Sequence, residues 1–187
     1  MRYVEIKSPQ SSDYLQSIRH CQLIFDLSSY EVREITQKLL DASMIAPNSL
    51  HYLVAKEEED LTGFVVYYYL QKIRLGYLDY IATIDQFRGR GIGSQLYGKM
   101  IEELQVKHPD IEGIVYEVKS TDADFEERVR FFEKQGAQIL KLEDFPLPQS
   151  VIDSGLIMMY QPLKPGAKIQ GKDILDIFRV LSETLWH

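Results

Sequence analysis

The residues best suited to chemistry lie in one glycine-rich segment near the middle of the chain. Tyr77–Ile84 has the composition of a strand, and the run Arg88–Ser94 (Arg-Gly-Arg-Gly-Ile-Gly-Ser) leads from it into a helical pattern. Glycines at such a turn let backbone N–H groups converge with no Cβ in the way. The helix N-terminus adds unpaired donors and a positive dipole end, and Arg88 and Arg90 add charge. The segment therefore predicts an anion site that suits a pyrophosphate.

Two other phosphate motifs fail in this segment. A dinucleotide Gly-x-Gly-x-x-Gly fingerprint needs a glycine or alanine at Leu96 or at Ser94, depending on which glycine begins it. A P-loop matches along Gly93–Lys99, but Met100 stands where a magnesium-binding Ser or Thr is required. That match also lies inside an amphipathic helix, where no phosphate loop can form. Neither motif explains the segment.

The elements that position this segment follow from hydrophobic periodicity. The predicted strands are Tyr3–Lys7, His51–Lys56, Leu61–Gln71, Tyr77–Ile84, Ile114–Val118, Ala137–Leu142 and Leu156–Leu163. The predicted helices are Asp13–Phe25, Ser28–Ala42 with Ser29 as its cap, Gly91–Val106, Asp124–Gln135 and an amphipathic tail helix, Asp173–Leu185. This order predicts a mixed α/β fold with the sheet at its centre.

The pattern at Arg88, Gly91 and Gly93, Arg-x-x-Gly-x-Gly after a strand, resembles the acyl-CoA signature of the GNAT superfamily of acetyl-CoA-dependent N-acetyltransferases. A second segment, Arg128–Ala137, resembles that superfamily's helix before its sixth strand, where an aromatic pair precedes a glycine. The order of elements is similar too, and the resemblance covers roughly residues 1–163. It implies a central, mostly antiparallel twisted sheet of about seven strands flanked by helices. Residues 164–187 are then a linker and a C-terminal helix that packs on the domain or at a dimer interface.

The resemblance also implies that acetyl-CoA is the co-substrate and indicates which residues contact it. In GNAT proteins the strand before the loop splays from its neighbour, and its exposed backbone pairs with the pantetheine arm. By resemblance, Ala82, Thr83 and Ile84 hold the pantetheine and the acetyl carbonyl. The implied pyrophosphate contacts are Arg88, Gly89, Arg90, Gly91, Ile92, Gly93 and Ser94.

Two carboxylates are candidates for the base that removes a proton from the acceptor amine. Glu117 lies in an apolar strand, where burial raises a carboxyl pKa towards neutrality. It resembles the proposed base of the N-terminal acetyltransferases that act on ribosomal proteins. Asp79 is the second candidate: it lies two residues from Tyr77, which matches the base glutamate of the histone-acetylating members, and alternation puts both on one side of the strand. For Glu117 the alternative is a strand glutamate that faces solvent.

One position departs from the family pattern. In the family, the tyrosine of the aromatic pair usually donates a proton to the leaving thiolate. Here Phe132 occupies that position, which is also one of the implied cofactor contacts. A thiol pKa of about 8.5 lets the thiolate leave fairly well unaided. Loss of this proton donor should raise the activation free energy by on the order of one to a few kcal/mol. Tyr80 or one residue of Tyr67–Tyr69 can substitute, although tyrosines in such strands are more typical of a core.

Composition restricts the partners. The 187 residues carry a formal net charge of −7, which disfavours nucleic acid and favours a basic small molecule or a cationic peptide.

Cys21 is the one cysteine, so neither an intrachain disulfide nor a thiolate metal cluster can form. Four scattered histidines, His20, His51, His108 and His187, give no metal pattern. The N-terminal residues lack the apolar run of a signal peptide, and no apolar stretch approaches the roughly 20 residues of a membrane span. We therefore expect a soluble cytoplasmic protein, monomeric or homodimeric, without a metal.

Three functional hypotheses follow. The first is an N-acetyltransferase that moves an acetyl group from acetyl-CoA to a primary amine, of a small molecule or a peptide or protein N-terminus, by direct attack in a ternary complex. The resemblance implies that Asp144–Ser154 and the first two helices wall the acceptor site. Phe132 motivates the second, a non-catalytic acyl-CoA-binding or sensing domain of the same fold. The third is an interaction module that uses the tail helix, with Trp186, as a dimer surface.

Overall fold

The computed structural model of the chain describes residues 1–140, 155–169 and 171–184. Its strands are β1 (Arg2–Glu5), β2 (Ser49–Glu57), β3 (Asp60–Leu70), β4 (Leu75–Thr83), β5 (Gly113–Lys119), β6 (Gln138–Leu140) and β7 (Leu156–Pro162). Its helices are α1 (Ser12–Phe25), α2 (Ser29–Leu40), α3 (Ile92–Lys107), α4 (Phe125–Lys134) and α5 (Gly171–Thr184), with short 3-10 turns at Ala42–Ile45 and Asp85–Phe87. The predicted Asp144–Ser154 loop, Leu185 and Trp186 lie outside the described residues, as does the end of the strand predicted at Ala137–Leu142.

The seven strands form one sheet in the order β1-β2-β3-β4-β5-β7-β6. The β1–β2, β2–β3, β5–β7 and β6–β7 pairs are antiparallel. The β4–β5 pair is parallel, with Leu75 opposite Gly113 and Tyr77 opposite Val115. A mostly antiparallel sheet of seven strands flanked by helices confirms the predicted fold class.

The chain divides into two compact units. The first comprises Met1–Tyr69 and Leu78–Pro109, and the second comprises Leu70–Tyr77 and Asp110–His187. In the first unit, β3 is buried on both faces, as its continuous apolar run requires. Phe64 and Val66 pack in one core with Tyr14 of α1 and Ile35 of α2. Gly63 faces the other side of the strand, where a Cβ added to it would contact α3. Helices therefore cover both faces of this strand.

Local signals set the start of each of the first two helices. Ser11 caps α1 by accepting a hydrogen bond from the Tyr14 N–H. Ser28 caps α2 and forms a reciprocal capping box with Glu31. The prediction of Ser29 as the cap was therefore wrong by one residue, because the Glu31 side chain can reach back only to Ser28 in that box.

In the second unit, α4 and α5 supply apolar faces. The Phe132 ring of α4 lies against Tyr116 of β5, with ring centroids 4.1 Å apart. Burial along α5 follows helical periodicity, and its buried residues are Ile174, Ile177, Val180 and Leu181. The apolar face of this helix is thus covered within the chain itself.

Candidate functional site

The predicted anion site is a tight turn in the first unit, between β4 and α3. The Ile84 N–H donates to the Thr62 carbonyl at 3.0 Å, which ties the end of β4 to β3. The Phe87 N–H then donates to the Ile84 carbonyl at 2.8 Å, and the Arg88 N–H to the Asp85 carbonyl at 3.1 Å. These bonds reverse the chain, so that residues 89–91 lead directly into α3.

Two glycines give this turn its backbone shape. Gly89 and Gly91 have φ angles of +77° and +75°, in the left-handed region that a Cβ disfavours. Gly91 is the N-cap of α3, and no side chain caps the helix there. The first-turn N–H groups have no intrahelical acceptor, and a Cβ on Gly89 would meet nothing within 4 Å. Open space beside uncapped backbone donors at a helix N-terminus fits a phosphate group.

The two arginines of the turn lie at the surface and form ion pairs. The Arg88 Nε atom is 3.0 Å from Asp85 Oδ1. The Arg90 Nη2 atom donates to both carboxylate oxygens of Glu57, at 2.9 and 2.7 Å, and its guanidinium lies 5.6 Å from the Phe87 ring centroid. An exposed pair of this kind contributes at most about 1 kcal/mol to stability. Its effect is to hold the Arg90 charge beside the turn.

The remaining loop residues contribute mainly through their backbone. Ile84 and Ile92 bury their side chains in the protein interior, so only their main-chain groups can meet a ligand. Gly93 and Ser94 form the first turn of α3 with Ile92, and Ser94 is exposed.

On β4, Asp79, Ala82 and Thr83 are half-buried. The Ala82 carbonyl is close to β3: a Cβ on Gly63 would lie 2.7 Å from that oxygen and 2.8 Å from Leu96 Cδ1. Gly63 therefore fixes the spacing of the strand predicted to hold pantetheine. Gly63 was not among the site residues predicted from sequence, although a glycine within a strand pattern often marks a close approach.

Of the tyrosines considered as substitute proton donors, the three on β3 are buried and Tyr80 on β4 is half-buried. Tyr67, Tyr68 and Tyr69 are core residues of β3, and the Tyr80 ring packs on Phe25, with centroids 4.9 Å apart. Burial, and to a lesser extent the charge of Asp79, raises the pKa of Tyr68 and Tyr80. Both hydroxyls therefore stay protonated at neutral pH.

In the second unit, Glu117 is a half-buried carboxylate on β5. Its Oε1 atom is buried and has no hydrogen-bond partner among the described residues. Burial raises its pKa to about 7, against a lowering influence of Lys119. A carboxylate with a pKa near the working pH is suited to general-base catalysis.

Phe132 is 6% exposed and lies between two aromatic side chains. Its ring contacts Tyr116, and it meets Phe131 edge-on at 5.0 Å between centroids. Successive strand residues face opposite sides of a sheet, so α4 covers the face of β5 that carries Tyr116, and Glu117 points to the other. Phe132 thus packs in the core and offers no acidic proton.

The described part of the chain contains no group of three or more His, Cys, Asp or Glu side chains that could hold a metal ion. None of its helices is long and apolar enough to cross a bilayer.

The comparisons with known proteins identify the family. A sequence model described as Acetyltransferase (GNAT) family matches residues 13–137. The chain therefore belongs to the GNAT acetyltransferase family.

Solved structures share the fold. An aminoglycoside 6′-N-acetyltransferase complexed with coenzyme A aligns over 90% of this chain and 100% of its own, at 15% identity and a TM-score of 0.65. A GNAT-family acetyltransferase from Staphylococcus aureus covers 87% and 100%, at 17% identity and 0.60. Tetrahymena GCN5 covers 88% and 98%, at 15% identity and 0.59. No curated protein matches the sequence significantly.

Proposed function

We propose that the chain is an N-acetyltransferase that moves the acetyl group of acetyl-CoA to a primary amine of a small molecule or of a peptide or protein N-terminus. The observation that carries this proposal is the uncapped N-terminus of α3, reached through Gly89 and Gly91 in left-handed conformation. Membership of the GNAT family supports it, as does the fold shared with an acetyltransferase complexed with coenzyme A.

The cofactor contacts in this proposal come from the first unit. The backbone of Arg88–Ser94 holds the pyrophosphate, and the Arg88 and Arg90 side chains supply charge. Ala82, Thr83 and Ile84 present their main chain to the pantetheine arm. When bound, acetyl-CoA supplies an acetyl group activated as a thioester.

Glu117 is the proposed base. The attacking amine must be neutral, and the Glu117 carboxylate accepts its proton because a pKa of about 7 balances ionisation against basicity. The amine then attacks the acetyl carbonyl directly in a ternary complex. The N–C bond forms, the C–S bond breaks, the CoA thiolate leaves with the electron pair of that bond, and the new amide nitrogen loses its extra proton to solvent. A backbone N–H of β4 stabilises the developing oxyanion. Asp79 is the second candidate for the base.

Two measurements test the proposal. Acetyl-CoA at about 100 times its Kd should stabilise the fold by about 2.7 kcal/mol, which a thermal melt detects. Free CoA should appear when acetyl-CoA is mixed with the correct acceptor from a panel of polyamines, amino acids, aminoglycosides and N-terminal peptides. No thermal shift at millimolar acetyl-CoA would refute the cofactor assignment.

Phe132 favours one alternative, a non-catalytic acyl-CoA-binding or sensing domain, because it lacks the usual donor hydroxyl. That alternative predicts the same thermal shift but no CoA release with any member of the panel. The two measurements together therefore separate an enzyme from a sensor.

A further inference from the structure

The end of the β2–β3 hairpin contacts the turn between β4 and α3, and both belong to the first unit. Glu57 is the last residue of β2 and lies opposite Asp60 of β3. Its two carboxylate oxygens accept hydrogen bonds from Arg90 Nη2, at 2.9 and 2.7 Å. A residue with no assigned part in cofactor binding thus holds one of the arginines proposed to contact the pyrophosphate.

Strand alternation accounts for the direction of the Glu57 side chain. The ammonium of the neighbouring Lys56 is 2.8 Å from Asp13 Oδ1 of α1, and α1 covers one face of the sheet. Successive strand residues face opposite sides. Glu57 therefore faces the side on which α3 lies, together with the turn that leads into it.

A β-bulge ties this hairpin to the start of the turn. The register shifts between Ala55 and Lys56, which leaves Thr62 as the extra residue of β3. The buried Thr62 hydroxyl donates to the Ala55 carbonyl at 3.1 Å, and the Thr62 carbonyl accepts from the Ile84 N–H at 3.0 Å. The end of β2 and the start of the turn are bonded to the same residue, so the Glu57 carboxylate has a fixed origin relative to the turn.

Two contacts fix the Arg90 guanidinium and leave part of it for a ligand. Its Nη2 group donates to Glu57, and its central carbon lies 5.6 Å from the Phe87 ring centroid. A guanidinium has five N–H donors, and the bonds to Glu57 use only those of Nη2. The Nη1 and Nε groups can therefore donate to a phosphate while the ion pair persists.

We propose that Glu57 is a positioning residue for acetyl-CoA: it orders the Arg90 guanidinium beside the turn before the pyrophosphate arrives. This inference rests on the proposed function, in which Arg90 contacts the pyrophosphate. A long side chain that is immobilised by a ligand loses rotamer freedom, and that loss weakens binding. Because Glu57 already restricts Arg90 in the folded chain, less of this freedom is lost when the cofactor binds.

The sign of the effect separates positioning from simple electrostatics. The run Glu57–Asp60 places four carboxylates at the hairpin end, close to a site for an anion. Coulomb repulsion alone predicts that removal of any one of these charges tightens acetyl-CoA binding. Positioning predicts the opposite for Glu57, because loss of its carboxylate releases the Arg90 side chain.

Calorimetric titration of the full-length chain with acetyl-CoA tests the inference. Glu57→Gln should raise the Kd about two- to tenfold, the effect of ordering one long side chain. Glu57→Asp keeps the charge but withdraws it by one methylene, and it should also raise the Kd. Glu58→Gln is the matched control, since it removes the same charge from an exposed neighbour in the hairpin. Its Kd should equal the wild-type value or fall below it.

A double-mutant cycle shows whether Glu57 acts through Arg90. Arg90→Gln alone should raise the Kd by about tenfold or more, because charged hydrogen bonds to phosphate are lost. In that background Glu57→Gln should have no further effect. A general loosening of the hairpin would instead weaken binding in both backgrounds. Melting temperatures should stay within about 4 °C of the wild type, since an exposed ion pair contributes little to stability.

A Kd that is unchanged or lowered in Glu57→Gln and Glu57→Asp would overturn the inference, as would an equal loss of affinity in the Arg90→Gln background. Should Glu57→Gln fail to fold, Glu57→Asp decides the matter alone. These outcomes leave the cofactor assignment intact, because the wild-type chain binds acetyl-CoA in each of them. No binding to the wild type would overturn the cofactor assignment and the role of Glu57 together.

Discussion

At the scale of single residues, Glu117 is the side chain on which acetyl transfer depends. Replacing its carboxylate by an amide removes the base and keeps the shape. We expect Glu117→Gln to lower kcat by about 10²- to 10⁴-fold and to leave the Kd for acetyl-CoA nearly unchanged. Asp79→Asn is the matched comparison. Were Asp79→Asn the more damaging of the two, the base would be Asp79.

The pH dependence gives Glu117 a second signature. The base must be ionised, so kcat/KM should rise with pH through about 7 and then level, and Glu117→Gln should lack this limb. Folding stability changes with pH in the opposite direction. The folded-state pKa is raised above the ordinary 4.5, so the folded state holds this proton more tightly, and stability falls as pH rises from about 4.5 to about 7. Melts of wild type and Glu117→Gln should therefore diverge over that interval, with the variant the more stable at pH 8.

Phe132 sets a separate test of the leaving-group step. Phe132→Tyr restores the hydroxyl found at this position in the family pattern. We expect kcat to rise by roughly tenfold or more if protonation of the thiolate limits turnover. The hydroxyl enters a core position beside Tyr116 and should cost about 1 to 3 kcal/mol of stability unless it finds a partner. An unchanged kcat in stopped-flow and steady-state assays would mean that the thiolate leaves without a donor.

At the scale of elements, the glycines at the start and in the middle of α3 form a matched pair. Gly91→Ala forces a Cβ into a φ of +75°, at a cost of about 1 to 2 kcal/mol, and should weaken acetyl-CoA binding by roughly tenfold because it moves the backbone donors. Gly98 is exposed inside the same helix, and a Cβ there meets nothing within 4 Å. Gly98→Ala should stabilise the protein by about 0.5 to 1 kcal/mol without changing the Kd. If both variants bound acetyl-CoA with equal affinity, the anion site would not lie at the N-terminus of α3.

The C-terminal helix provides a second pair. Ile177 is 0% exposed and Leu175 is 43% exposed. Ile177→Ala should lower the free energy of unfolding by about 2 to 5 kcal/mol, whereas Leu175→Ala should change it by about 0.5 kcal/mol or less. Urea denaturation measures both. A small effect for Ile177→Ala would mean that α5 adds little to the packed core.

At the scale of the whole molecule, the fold was largely predictable from sequence. Alternating and helical patterns predicted the seven strands and five helices found in the described residues, because these periods are local properties of the chain. The P-loop match at Gly93–Lys99 was rejected correctly, since α3 occupies that stretch.

Long-range pairings were not predictable in this way. Glu57 belongs to a run of acidic residues that is typical of a solvated hairpin, yet it pairs with Arg90, which is 33 positions away. His51 and His108 are 57 positions apart, and they meet because the C-terminal end of α3 packs beside β2. Such contacts depend on which elements pack together, and periodicity does not contain that information.

The close approach at Gly63 has a consequence for genetics. A methyl group there collides with a flexible side-chain carbon of Leu96 and also with the Ala82 carbonyl oxygen. A smaller residue at position 96 relieves the first collision, but no substitution removes a backbone oxygen. A selection for second-site suppressors of Gly63→Ala should therefore return mainly true revertants, and few compensating changes should arise at Leu96.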